Sequence, residues 1–493
     1  MKIRYALLLL LAFTLNGCKS KFSIFNRDIL NYAKNDNRID QQEYEKLVTQ
    51  IKASNQKGFQ NLKSKEGKID DAKVVEYLLK YFKAYRLSLS SEDIWQPETI
   101  KSQVERFNIN VFIENSKSID GYVKDNSTFK TTIFKLLTDL KNLSVADSLN
   151  LNYINTKPIP LKVSANRDDI DDFYKRLNPL DFKKGGGNRS STDIEKMVKQ
   201  LLDQTNKKNL SVFISDFVFS PGKQNAKKYL DGQYAAIYND FTSAITTNPD
   251  LSVIILQCIA KFEGTYSDYL DNPHLNIIAE RPYYILFIGT TSQVKSIIDY
   301  KLFDLIKNGY QNKLVIQTIK NINHPDSRIL SKKFLGSFER TEIANNIITG
   351  ASVDEREQNK GLFGFYLAVD FSKSLQDENY FTDEGNYEFN NKSYSLQSEA
   401  IKDQSDPALI GYTHILKIQT NKLIDETLQI DVIGKTPAWV YSSTSTDDTK
   451  IDIDDSEKLK TFGFKYLIEG ICDAFYPRSR PNSIHNFIVT IKK

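Results

Sequence analysis

Between residues 106 and 307 the apolar positions follow two alternating rhythms. Nearly unbroken runs at 109–113, 210–214, 251–260 and 283–289 are separated by stretches in which apolar residues recur every three or four positions. Runs without polar alternation predict strands buried on both faces, and the 3.6-residue rhythm predicts amphipathic helices. Phe129, Ile133, Leu136, Leu137 and Leu140 form one such helical stripe; Ile194, Met197, Val198, Leu201 and Leu202 form another. A long helix is predicted over about 225–247 and another over about 293–306, with a weaker strand at 149–154 and a short helix at 168–177. Strands separated by helices predict an α/β domain whose central sheet is covered on both sides.

The flanks have other patterns. Within 19–95, Ile29, Tyr32, Ile39, Asp40, Tyr44, Leu47 and Val48 align at an offset of 30 residues with Phe59, Leu62, Ile69, Asp70, Val74, Tyr77 and Leu78. Each half predicts helix, polar loop, helix. The loops at 35–43 and 65–70 resemble those of an EF-hand pair, in which an isoleucine in each loop makes the strand contact that couples them. Calcium is not expected there. Tyr32 and Lys34 fall at the first and third ligand positions of one loop, and Leu62 and Lys73 at the first and twelfth of the other, where a hard cation needs oxygen. In 308–493, strands are predicted at 314–319, 362–371, 414–419, 428–432 and 487–491, spaced as in a β-sandwich. Phe464, Leu467, Ile468, Ile471, Cys472 and Phe475 predict a helix packed on that sheet. The acidic stretch 447–455 reads equally as a solvated loop or a calcium site.

Length and charge narrow the picture. The 493 residues suggest about three domains. A formal net charge of +4 is small for that length and does not point to nucleic acid. At the start, Lys2 and Arg4 precede an apolar run at 6–15 that is too short to span a membrane, followed by Leu15-Asn16-Gly17-Cys18. This resembles a lipoprotein signal peptide over residues 1–18, which implies a mature protein tethered through an acylated Cys18 to a bacterial envelope membrane. Lys19 in place of Asp after that cysteine favours the outer membrane. The other reading is an ordinary signal peptide with a chance cysteine. Cys258 and Cys472 lie in apolar contexts and are expected as buried free thiols, and the four scattered histidines have no zinc-ligand spacing.

The candidate chemistry sits where apolar runs stop. The first ends in Glu114-Asn115-Ser116-Lys117-Ser118, the 210–214 run ends in Ser215-Asp216, and Gly185-Gly186-Gly187 leads to Thr192 at a helix start. Strand ends of this kind carry the binding groups of open α/β sheets. Glu-x-Ser-x-Ser resembles the Asp-x-Ser-x-Ser signature of the von Willebrand factor A domain, and the order of elements over 106–307 is similar to that family's. The resemblance implies a Rossmann-type fold and a magnesium site built from Glu114, Ser116, Ser118, Thr192 and Asp216, with one coordination position open for a partner's carboxylate. Glu114 stands where the family has Asp, and Lys117 brings an ammonium beside the site. A bound Mg2+ and a lapsed site with Lys117 as counter-charge are both open. Taken singly, the serines and Thr192 also read as helix N-caps and Asp216 as a turn cap. The glycine triplet lacks the Gly-Lys-Ser/Thr ending of a P-loop and reads as a flexible surface loop. The expected function is an envelope lipoprotein that binds a protein or other envelope macromolecule. The alternatives are a hydrolase of envelope polymers using Glu114 and Asp216 as acid and base, or a metal-free scaffold.

Overall fold

A computed structural model describes residues 21–493 apart from 37, 55, 65–66, 86, 88, 90–92, 98–105, 125–126, 162–166, 191–192, 301, 303–305, 307–308, 319–324, 340–342, 373, 404–405 and 478–481. The chain forms two compact units, one within 1–105 and 401–411, the other within 106–400 and 412–493. The class is mixed α/β with a large mixed central sheet.

In the first unit, α1 (Lys21–Asp36), α2 (Gln41–Lys52) and α3 (Asp71–Ala84) close on Phe25, Ile29, Leu47, Phe59, Leu78 and Phe82. The two loop isoleucines do not pair with each other, contrary to the EF-hand expectation. Ile39 bridges to Ile94 in parallel, and Ile69 bridges to Lys63. Several described loop oxygens are also occupied. Asp40 and Glu43 form a reciprocal capping box at the start of α2, and the Lys73 ammonium lies 3.0 Å from Asp70 and donates to the Lys63 carbonyl at 3.3 Å.

The second unit is organised by a seven-stranded sheet: β1 (Phe107–Glu114), β2 (Ala146–Ile154), β3 (Pro158–Pro160), β4 (Asn209–Ser215), β5 (Leu251–Ser267), β6 (Pro273–Thr290) and β7 (Tyr310–Gln317), in the order β3-β2-β1-β4-β6-β5-β7. β2, β1 and β4 are parallel, so their carboxyl ends share one edge. On the far side of β4 the two strands expected in succession, at 251–260 and 283–289, are longer than expected and form a hairpin. β5 and β6 pair antiparallel along almost their whole length, and β6 runs antiparallel to β4. The strand expected at 314–319 is β7, on the edge of this same sheet, so the sheet extends past residue 307.

The helices of this unit include α4 (Thr128–Lys141), α5 (Ile194–Gln204), α6 (Ala226–Thr247), α7 (Thr291–Asp299) and α8 (Phe464–Phe475). All five apolar stripe positions of α4 and of α5 are buried. So are the six of α8, but they pack away from the C-terminal strands. Phe464 stacks on Tyr284 of β6 at 4.0 Å, Phe475 lies 6.2 Å from Phe241, and Gly470 abuts Ile237 of α6. The C-terminal strands make a five-stranded and a four-stranded sheet, which meet where Phe371, Phe381 and His414 pack on His485 and Phe487. Cys258 and Cys472 are free and buried, which pushes both thiols up to about 12.

One contact between α5 and α6 gives a pH dependence. Glu195 is partly buried and hydrogen-bonded to Asp240, and desolvation first, then that carboxylate, raises its pKa from 4.5 to about 7. The raised folded-state value means this contribution to stability is fully present below about pH 4.5 and is lost as pH rises through about 7. After discounting for solvent screening the loss is about 1 kcal/mol. Glu195→Gln is therefore expected to raise the melting temperature at mildly alkaline pH and to leave it unchanged in acid. A melting curve insensitive to this change at both pH values would contradict the shared-proton contact.

Candidate functional site

Because β2, β1 and β4 are parallel, their last residues, Ile154, Glu114 and Ser215, come to one edge of the sheet. Beyond β1 the chain makes a tight 3-10 turn, Ser118–Gly121, which rests against the β5 strand: a Cβ at Gly121 would come within 2.3 Å of the Phe262 ring. Beyond β4 the buried Phe217 has φ 49°, a left-handed backbone seldom adopted by aromatic residues, and its ring packs 5.1 Å from Phe213 and 5.9 Å from Tyr284. Strain held by packing at a strand end is a common property of binding sites.

Four of the five expected ligand positions can be placed; Thr192 lies outside the described residues. Glu114, Ser116 and Asp216 are buried. The Ser116 and Ser118 hydroxyls are 2.8 Å apart, and Ser118 stands beside the Asp216 carboxylate, whose negative form it favours. The Ser215 hydroxyl donates to Glu114 Oε2 and accepts from the Phe217 amide at 2.8 Å. Burial pushes the Asp216 carboxyl above the ordinary range, opposed by the Ser118 hydroxyl and then by Arg281. Lys117, expected to serve as the counter-charge if no metal binds, is exposed; its backbone amide donates to the Arg189 carbonyl at 3.0 Å.

The charges around the loop come instead from two arginines. Arg189 donates to the Asn115 carbonyl at 2.6 Å, to the Ser116 carbonyl at 3.1 Å and to the Asp120 carboxylate, clamping the loop from outside. Arg281, on β6 beyond the end of β4, is only 1% exposed. Its guanidinium lies 4.3 Å from the Tyr266 ring centre and 5.8 Å from that of Phe262, stands beside the Tyr122 hydroxyl, and donates to the Lys458 and Lys460 carbonyls at 3.3 and 3.5 Å. Asp216 is its carboxylate neighbour on the strand-end side. On the other side Tyr266 donates to Asp448 at 2.5 Å, and the Tyr269 amide donates to the same carboxylate at 3.0 Å. Asp448 is buried, so at this position the acidic stretch 447–455 is a buttress and not a solvated loop.

The chain matches no family model, and no curated protein matches it. The arrangement is therefore read from its own geometry. Among the described residues no three His, Cys, Asp or Glu side chains converge as a metal-holding group. The oxygens of Ser116, Ser118 and Asp216 are of the class a hard cation takes. The charge does not suit one: the positive charge of the buried Arg281 already reaches the Asp216 carboxylate, Arg189 holds a second guanidinium beside the loop, and the Glu114 carboxylate accepts from Ser215.

The glycine triplet lies at the surface, as its reading as a surface loop has it, and is tied to the strand ends by hydrogen bonds. The Asn155 amide donates to Asn115 Oδ1 at 2.7 Å and to the Gly186 carbonyl at 2.9 Å, tying the end of β2, the loop after β1 and the triplet together. Gly187 has φ 77°, and a Cβ there would lie 2.2 Å from Asn155 Oδ1. Lys117 and Lys183, both exposed, stand near enough to Asp120 to lower its pKa against the larger upward push of burial, so the outer rim of this edge is basic. Sequence reasoning missed Arg281, Ser215, Arg189, Asn155 and Asp448. Ser215, directly before Asp216 at a strand end, was the most accessible of these.

Proposed function

We propose that the protein is an envelope-anchored lipoprotein whose central α/β domain, similar to the von Willebrand factor A domain, binds a protein partner at the loops following β1 and β4. The observation that carries this reading is the convergence of Ser116, Ser118 and Asp216 at the shared carboxyl edge of parallel β1 and β4, in the family's order. Around that buried cluster the exposed Lys117 and Lys183 offer a surface for contact. The loop is held rigid by Arg189, Asn155 and the Gly121–Phe262 contact, so a partner would meet a preformed face and little ordering entropy would oppose binding. A hydrolase reading is less well supported, since Glu114 and Asp216 are 1% and 3% exposed and each is bonded to a serine. A general acid must reach the bond it protonates. The docking reading is tested by photo-crosslinking from position 117 in intact envelopes, where an adduct with a discrete protein is expected.

The anchor is a separate part of the proposal. Residues 1–20, including Cys18, lie outside the described part, and among the described residues no helix is long and apolar enough to cross a membrane. Membrane attachment is proposed through the lipid on Cys18, at the outer membrane. Metabolic labelling with a fatty acid analogue should mark the wild type and not Cys18→Ser. Equal labelling of the two would overturn the anchor.

A further inference from the structure

Arg281 is a costly residue to bury, and its surroundings indicate its use. The β5–β6 hairpin continues past the end of β4: Ser215 pairs with Tyr284, and three residues earlier on β6 Arg281 pairs with Ala260 of β5. The ribbon thus carries a guanidinium over the strand ends, to the region where the loop after β1 presents Ser116 and Ser118 and the chain after β4 presents Asp216. Once there, the charge is fixed. The Tyr266 ring lies 4.3 Å from it, the Tyr122 hydroxyl stands beside it, and two backbone carbonyls at 458 and 460 accept from it. A buried cation is tolerated when it has hydrogen-bond acceptors and opposite charge around it; the two carbonyls are the acceptors, and Asp216, within electrostatic reach rather than in contact, is the carboxylate on its strand-end side. Asp448 accepts from Tyr266, whose ring lies against the same guanidinium. A divalent ion coordinated by the Ser116–Ser118–Asp216 set would be placed beside Arg281 and Arg189, and like charges at such range repel strongly in a buried setting.

We infer that the Arg281 guanidinium is the resident cation of this site, taking the electrostatic place of a divalent metal, so that the loop face is assembled and binds without magnesium. The inference rests on the reading of the strand-end loops as the docking face. It assigns Arg281 as a positioning residue: through Asp216 and Ser118 it holds the serine loop, while the partner meets the exposed rim at Lys117 and Lys183.

The test uses the full-length chain, with magnesium chloride alone as probe. Wild type should give no saturable heat on titration with magnesium at millimolar concentration, and its melting temperature should be the same in magnesium and in chelator. Arg281→Gln removes the charge and keeps polar reach; it should melt lower in chelator and be raised by magnesium, which now has a carboxylate without a counter-charge to bind. Adding Ser116→Ala and Ser118→Ala to Arg281→Gln should abolish that rise. Arg281→Lys keeps the charge and should remain indifferent to magnesium, which separates loss of charge from loss of packing. Saturable magnesium binding and stabilisation of the wild type would overturn the inference, whether or not the Arg281 variants fold. So would an Arg281→Gln protein that melts like the wild type. Crosslinking at Lys117 is read separately: a magnesium-binding wild type that still crosslinks its partner there removes this inference and keeps the docking face.

Discussion

Asp216→Ala is expected to destabilise the central unit by about 2–3 kcal/mol, the upper part of the range for leaving buried polar groups without compensation. The size follows from what remains behind. Arg281, 1% exposed, would keep its tyrosines and two backbone carbonyls but lose the buried carboxylate within electrostatic reach of it, and Ser118 would lose the carboxylate beside it. Asp216→Asn should fall between wild type and Ala, since an amide oxygen can still accept from Ser118 while the charge is gone. Lys117→Ala, on the same loop but exposed, should stay within about 0.5 kcal/mol of wild type. Urea unfolding of the three variants decides the matter. An Asp216→Ala protein within 1 kcal/mol of wild type would mean that Asp216 and Arg281 do not depend on one another.

The second large effect is expected at Gly187→Ala, about 2–5 kcal/mol. Left-handed backbone at φ 77° costs a residue with a Cβ about 1–2 kcal/mol. The added carbon would also lie 2.2 Å from Asn155 Oδ1, so Asn155 must turn away from Asn115 and Gly186, leaving buried polar groups without partners at about 1–3 kcal/mol. Gly186→Ala is the matched control. Its φ is 84° but nothing lies within 4 Å of a Cβ there, so only the backbone part should appear. Hydrogen exchange should show the amides of Asn115 and Lys117, which donate to Ile154 and Arg189, opening faster in Gly187→Ala and little changed in Gly186→Ala. Equal effects of the two substitutions would show that the triplet does not brace the loop.

These two positions show which parts of the site were legible in the sequence. The parallel core was readable because strands buried on both faces lack polar alternation, and β1 and β4 each end at the residues that mark the site. The hairpin was not, because the reading stopped one strand at 260 and began the next at 283. Between them the ribbon alternates, with Phe262 and Tyr266 buried on β5 and Ile277 and Arg281 buried on β6. A charged residue at an inward position of a two-residue pattern reads as a break in a strand, and only the fold supplies the partners that make it tolerable. The tie of the glycine triplet was hidden for a related reason: it is a contact with Asn155, about thirty residues away, and composition alone suggests mobility. In the first unit the repeat located the helices but not the pairing of Ile39, whose partner Ile94 lies beyond the second repeat. For α8 the stripe gave the helix, while its partner surface, α6 and Tyr284, lies more than 170 residues earlier in the chain.

Site-specific photo-crosslinking in intact envelopes tests the docking face most directly. A photoactivatable residue is placed in turn at Lys117 and Lys183, on the rim of the strand-end loops, and at Lys332, an exposed position on the four-stranded sheet. The account predicts one discrete protein adduct from 117 and 183, undiminished by chelator, and none of the same mass from 332. No adduct from the loop positions, or the same adducts from all three, would contradict it.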